Sequence, residues 1–479
     1  MATRRESGCG ICPGRLAAPF TRRDLLKSAG AGFGYLALQA LLAEEARADG
    51  VLRGTHHRAR AKAVIFCFMD GGVSHVDSFD PKPKLTELDG KPAGKVENVT
   101  AGGDRKWLRS PWEFRPRGQS GLPVSDLFPH IAEMADELAV IRSMKAEFPL
   151  HSRGNLLLHT GRNTGGLPSM GSWVTYGLGS LNRNLPGFVV LNHNNFVPAG
   201  GMECFSSGFL PAAYQASLLE AKGIPIANLD PADKKPEIQR AKLDLLRERD
   251  ESFSATLGSN DAVESAIQNY ELAYRMQSLV PDVLNLDRES EATKRLYGID
   301  SADEPKRLYG TQCLRARRLV EAGVRFVEVC CPNQFGATGT WDQHGNLKKG
   351  HERNSAITDQ AVAGLLRDLK QRGLLDDTLV LWSGEFGRTP HCARPDGRDH
   401  HPEGFSLWMA GGGARPGAIY GATDEMGMHA VENVVTFHDL HATMLHLLGV
   451  EHTRLTFRSG GRDYRLTDVS GRVIQEVVA

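Results

Sequence analysis

The run Ala63-Val64-Ile65-Phe66-Cys67-Phe68-Met69, closed by Asp70-Gly71-Gly72, decides the architecture. Seven apolar residues in a row, without the alternation of a half-solvated strand, describe a strand buried on both faces. A carboxylate and two glycines at its end describe a loop where backbone can approach an ion or anion closely. An Asp that merely caps a following helix is the alternative for Asp70.

Working outward, the same grammar recurs. Leu138-Ala139-Val140-Ile141 leads towards His151-Ser152, and Phe188-Val189-Val190-Leu191 leads into Asn192-His193. Phe326-Val327-Glu328-Val329 leads towards Trp341-Asp342-Gln343-His344, and Thr378-Leu379-Val380-Leu381-Trp382 ends at Ser383-Gly384-Glu385. Between these runs lie helical patterns. The clearest places Val362, Leu365, Leu366 and Leu369 on one face and stops at Gly373, a C-terminal cap. Strands alternating with helices predict an α/β fold with a mainly parallel sheet covered on both faces. Ligands of such sheets gather at the carboxyl ends of the strands. Asp70, His151-Ser152, Asp342, His344 and Glu385 all fall at those ends.

Residues from about 205 to 310 are polar and helix-favouring, and read as a helical insertion on the rim. After about residue 455, Arg462–Leu466 and Arg472–Ile474 flank Val469-Ser470-Gly471 and read as a terminal hairpin. The main body is therefore expected over residues 49–479 as one α/β domain.

The first 48 residues read as a leader. Arg22-Arg23 precedes a small, apolar run from Ser28 to Ala43, and Ala46-Arg47-Ala48 forms an A-x-A cleavage site. That is a twin-arginine export signature, predicting a periplasmic or secreted protein with no stable membrane span after cleavage. The chain has 57 Lys+Arg against 57 Asp+Glu; seven basic and four acidic residues lie in the leader, so the mature chain carries −3. Without a basic surplus, non-specific nucleic-acid binding is excluded as the function class. Six cysteines remain after cleavage, at spacings that make no small-protein disulfide framework.

The chemistry-bearing residues are carboxylates and histidines. Asp342-Gln343-His344 places a carboxylate and an imidazole one residue apart, a donor pair suited to zinc or manganese. Glu385 sits at a strand-to-loop junction with Arg388 three residues on, placed either to pair with it or to reach an anionic substrate. Arg398-Asp399-His400-His401 precedes a further apolar strand, Phe405-Ser406-Leu407-Trp408-Met409, and a Gly411-Gly412-Gly413 turn.

Taken in order, these motifs resemble the alkaline phosphatase and sulfatase superfamily, and more narrowly a sulfatase-like bacterial family whose members often carry twin-arginine signals. The resemblance spans roughly residues 62 to 450. Phe68-Met69-Asp70-Gly71-Gly72 resembles the first metal-aspartate strand, and His151 through Thr160-Gly161 the nucleophile segment. Asp359 through Glu385, including Arg372-Gly373-Leu374-Leu375-Asp376-Asp377-Thr378, resembles the helix, strand and metal-carboxylate unit of sulfatases. Asp399-His400 resembles the late metal-histidine segment.

The resemblance implies an alkaline-phosphatase-like three-layer α/β/α sandwich and a metal centre of Asp70, Asp342, His344, Glu385 and His400, with His401 as the alternative for the last place. It implies hydrolysis of a sulfate or phosphate ester, small or polysaccharide. The cofactor it implies is a divalent ion, zinc or manganese before calcium or magnesium. His151 stands where these enzymes keep a Cys, Ser or Thr, and no Pro-Ser-Arg follows it. Ser152 or a water is then the attacking group, with His151 or His193 moving protons and Arg388 holding the anion. Glu385 is followed by Phe386, which cannot ligate. The competing reading is an exported metal-binding protein of the same fold that binds an anionic polysaccharide or a partner protein without cleaving it.

Overall fold

A computed structural model describes residues 51–52, 54–94, 104–193, 196–222, 235–257, 261–332 and 340–479; the expected leader, residues 1–48, lies outside them. The sheet strands are β1 (Ala63–Phe68), β2 (Leu138–Met144), β3 (Phe188–Asn192), β4 (Ser217–Glu220), β5 (Phe326–Cys330), β6 (Thr378–Ser383), β7 (Phe405–Ala410) and β8 (Ile419–Tyr420). They lie in the order β8-β2-β7-β6-β1-β5-β3-β4. All neighbouring pairs are parallel except the two made by β7, which is antiparallel to both β2 and β6.

β1 sits between β6 and β5, and all six of its residues are buried. Ile65 and Cys67 face one core, shared with helices α5 (Glu304–Glu321) and α6 (Leu347–Gln371). Val64, Phe66 and Phe68 face the other, shared with α1 (His151–Thr160), α2 (Met170–Leu178) and α7 (Phe437–Leu447). The architecture is thus three layers, α/β/α. Each buried Phe of β1 contributes about 1.5–3 kcal/mol relative to exposure.

Two outer features differ from the sequence reading. The rim insertion does contain two long helices, α3 (Pro236–Leu257) and α4 (Asp261–Leu284), clasped by Arg240 on Glu271 at 2.9 and 2.6 Å. Its first part, however, holds β4, an edge strand whose Leu219 is buried beside β3. The terminal hairpin pairs Phe457–Ser459 with Arg462–Tyr464, not residues 462–466 with 472–474. Gly460 and Gly461 take φ of 54° and 83°, the two left-handed positions that a tight hairpin turn requires. No helix among the described residues is long and apolar enough to cross a membrane.

Candidate metal centre

The register of the sheet builds the centre. Phe68 of β1 pairs with Ser383 of β6, so Asp70 and Glu385 each lie two residues beyond the same rung, at the same edge. The Gly71 N–H donates to both Glu385 oxygens at 3.1 Å, a backbone orientation reached at φ 104°. A side chain at Gly72 would put its Cβ 2.8 Å from the Phe386 carbonyl, so the two loops close only over glycine. Because β7 runs against its neighbours, its beginning, not its end, lies at this edge, which brings His400 there as well. Trp341 N–H donates to the Asp70 carbonyl at 3.0 Å and carries Asp342 in beside them.

α1 closes the site from above. His151 opens the helix, Gly154 comes so close that a Cβ would lie 3.1 Å from Glu385 Cγ, and Asn155 Nδ2 donates to Asp70 Oδ1 at 3.1 Å. Leu150 offers no side-chain cap to the first N–H groups of α1, the helix that opens with His151.

Three imidazoles then converge on one carboxylate. Nδ1 of His151 bonds Glu385 Oε1 at 2.5 Å, Nδ1 of His344 bonds Asp399 Oδ1 at 2.7 Å, and Nδ1 of His400 bonds the Pro149 carbonyl at 2.8 Å. Each Nε2 points at Asp342: 3.1 Å from His400 and from His344 to Oδ1, and 3.3 Å from His151 to Oδ2. The Nε2 atoms of His344 and His400 face each other at 3.0 Å. Donor atoms of His151, Asp342 and His400 all lie within 4.8 Å of one another. Ligand atoms of a tetrahedral zinc site, with bonds of about 2.0–2.1 Å, stand about 3.3 Å apart. Because each Nδ1 is engaged by an oxygen, Nε2 is the nitrogen left to carry a lone pair to a cation. The residues therefore fit a divalent ion, and three imidazoles with one carboxylate suit zinc first.

The charges agree. Burial opposes ionisation of Asp342, yet the three imidazoles around it and the Arg388 guanidinium hold its carboxyl far below the usual range. Burial alone would depress His151, but Asp342 and Glu385 outweigh it and push it up to about 9. Asp342 and Asp399 raise His344, whereas burial lowers His400. Burial, with Glu385 beside it, pushes the Asp70 carboxyl up to about 7.

Of the residues named from sequence, Asp70, His151, Asp342, His344, Glu385 and His400 are brought together. His401 is not. It neighbours His400 in a short extended segment, so its ring points the other way and bonds the Met428 carbonyl. Arg388 is at the centre but is fully buried and spent: it donates to the carbonyls of Gly71, Gly72 and Arg398 and to Asp342 Oδ1 at 2.7 Å. It braces the Asp70 loop against Asp342 and has no fork left for a substrate anion. Ser152 is exposed at the second position of α1, and its hydroxyl takes no part in the bonds that tie the cluster together. His193 is buried against Tyr309, with burial lowering it to about 4. Sequence reading missed Asn155, and it named Asp399 only as part of a motif, without a role. Asn155 lies one helical turn from His151, a spacing that could have flagged it.

The sequence matches the family described as protein of unknown function (DUF1501) over residues 61–478. The chain belongs to that family. No curated protein matches it. Among solved structures it is similar to a sulfatase from Pseudoalteromonas sp., at 14% identity over 87% of this chain and 70% of that one, with a TM-score of 0.34. It is also similar to the lipoteichoic acid synthase of Listeria monocytogenes (10% identity, 86% and 76% covered, TM-score 0.38). A third is a protein of the alkaline phosphatase superfamily from Vibrio parahaemolyticus (11% identity, 84% and 70% covered, TM-score 0.35).

Proposed function

We propose that this member of the family is an exported, metal-dependent hydrolase of sulfate or phosphate esters, with zinc or manganese as the preferred ion. One observation carries the reading: three imidazoles, each anchored through Nδ1, aim Nε2 at a single carboxylate, and one of them opens a helix with no side-chain cap. A divalent ion held there supplies Lewis-acid polarisation of the ester and offsets charge that builds on its oxygens. The N–H groups at the start of α1 favour an anion at the same mouth. Asp70, whose carboxyl burial and Glu385 push up to about 7 in the metal-free chain, is a further carboxylate that a cation beside it would draw into its charged form. His151 and Glu385 share a further proton across 2.5 Å. Arg22-Arg23 and Ala46-Arg47-Ala48 support export by the twin-arginine route and a mature chain beginning near Asp49.

Two features favour the second reading, a metal-binding protein without hydrolysis: the resemblance puts His151 where the nucleophile would stand, and Arg388 is fully engaged by carbonyls and Asp342. Metal analysis of the purified mature protein, coupled to a panel of aryl sulfate and aryl phosphate esters, separates the two. Stoichiometric metal with turnover is expected. Metal-loaded protein inert across the panel overturns hydrolysis and leaves the binding reading; protein that takes up no divalent ion overturns both.

A further inference from the structure

We propose that Asp399 and Arg105 are positioning residues that hold His344 in place as a metal ligand, an assignment that rests on the metal centre proposed above. The three imidazoles are not equally constrained. The side chains of His151 and His400 are 11% exposed, whereas that of His344 is 29% exposed. His151 and His400 pack on the Phe386 ring at 5.0 and 4.9 Å, and on each other at 4.2 Å. His344 stands on the solvent side, and its only ring neighbour among the described residues is His400, at 4.6 Å. Its orientation therefore depends on the bond from Nδ1 to Asp399.

Asp399 is built to serve that bond. Its backbone is locked to Thr389 in both directions: Thr389 N–H donates to its carbonyl at 2.9 Å, and its own N–H donates to Thr389 Oγ1 at 3.0 Å. One carboxylate oxygen takes His344, and the other takes Arg105 Nη1 at 2.6 Å. Both residues are nearly sealed, at 4% and 5% exposure. Arg105 arrives from 294 residues away, on a segment whose Lys106–Trp107 pairs with His391–Cys392, and its guanidinium lies 3.3 Å from His391 Nδ1. A buried guanidinium on one oxygen keeps the carboxylate charged and its second oxygen aimed at the imidazole. A charged acceptor on Nδ1 makes Nε2 a better donor to a metal.

The test is zinc affinity of the full mature chain, measured by chelator competition, with visible absorption of the cobalt-loaded protein as a report on ligand number. Asp399→Ala is expected to weaken zinc about 10–100-fold, Asp399→Asn less, and Arg105→Met to an intermediate degree, with Arg105→Lys largely restored. The decisive arm is the double variant. If Arg105 acts through Asp399, Arg105→Met with Asp399→Ala binds zinc no more weakly than Asp399→Ala alone. Additive losses, or zinc affinity and cobalt absorption unchanged in Asp399→Asn, overturn the assignment while leaving the metal centre standing. Wild-type protein that binds neither zinc nor cobalt overturns the centre itself.

Discussion

Helix α1 presents two histidines to two buried glutamates, and the pairs differ in what the second nitrogen of each imidazole meets. His159 Nε2 meets Glu328 Oε1 at 2.9 Å; His151 Nδ1 meets Glu385 Oε1 at 2.5 Å. His159 and Glu328 are both 0% exposed, with the rings of Phe68 and Phe205 at 4.8 and 5.9 Å from the imidazole. The other nitrogen of His159 bonds the Asn155 carbonyl at 2.7 Å, four residues back on its own helix. That pair is closed at the imidazole, because both ring nitrogens are bonded inside the core beside the Cys204 thiol, although Glu328 Oε2 itself finds no partner among the described residues. The pair at the sheet edge is open. The second nitrogen of His151 points at a carboxylate already shared by two more imidazoles, an arrangement that a cation completes. A His–Glu contact is therefore structural or functional according to where the second nitrogen goes.

The sharpest way to break that distinction is Glu328→Ala. Glu328 draws the His159 imidazole well above its ordinary range against the burial that would discharge it. Removing one partner of such a sealed pair is expected to cost about 3–5 kcal/mol in metal-free urea unfolding. The folded fraction should still take up zinc with only a small loss of affinity, since His159 reaches Asp70 only indirectly, through Asn155. Glu385→Ala is expected to cost stability as well, since Glu385 is just as buried, but it should also weaken zinc, because it frees the His151 ring. If Glu328→Ala weakens zinc as much as Glu385→Ala does, the closed pair belongs to the site after all.

Acidity sharpens the same comparison with a smaller effect. In the metal-free chain His151 keeps its proton up to about pH 9, and Asp342 remains charged throughout. A metal at Nε2 has to displace that proton, so affinity falls as pH drops below about 9 and rises towards it. Zinc binding is expected to strengthen about tenfold per pH unit for each proton displaced, over roughly pH 6 to 8. Calorimetry in buffers of different ionisation enthalpy reads the released protons directly. Affinity that stays flat across that range would mean that the His151 imidazole of the open pair is already neutral, like an ordinary buried histidine.

The fold was legible because parallel strands, buried on both faces, write themselves as unbroken apolar runs such as residues 63–69 and 378–382. The convergence of Asp70 and Glu385 followed from parallel register alone. His400 was legible by position, but the reason it reaches the edge, the reversed direction of β7, is not written in Phe405–Met409. Arg388 was misread because its acceptors are backbone carbonyls of Gly71 and Gly72, more than 300 residues away. Asp399 stood inside a quoted motif, yet its role appears only when His344 and Arg105 are folded against it. Long-range contacts of this kind leave no local period to find.

The smallest expected effect is that of Ser152→Ala, and it tests whether the open pair alone is the reacting part of α1. Ser152 is one residue from His151, but on a helix adjacent residues point about 100° apart, so closeness in sequence is not closeness in the site. Its side chain is exposed and contributes nothing to the bonds around Asp342. Stability should change by less than about 0.5 kcal/mol, zinc affinity should not change, and turnover of a responsive aryl ester should stay within about twofold. A side-chain nucleophile behaves otherwise: its removal lowers kcat by several powers of ten while the metal stays bound. Such a loss would place the attacking oxygen on the exposed side of the first turn. The imidazole cluster would then be support for that oxygen rather than the occupant of its place.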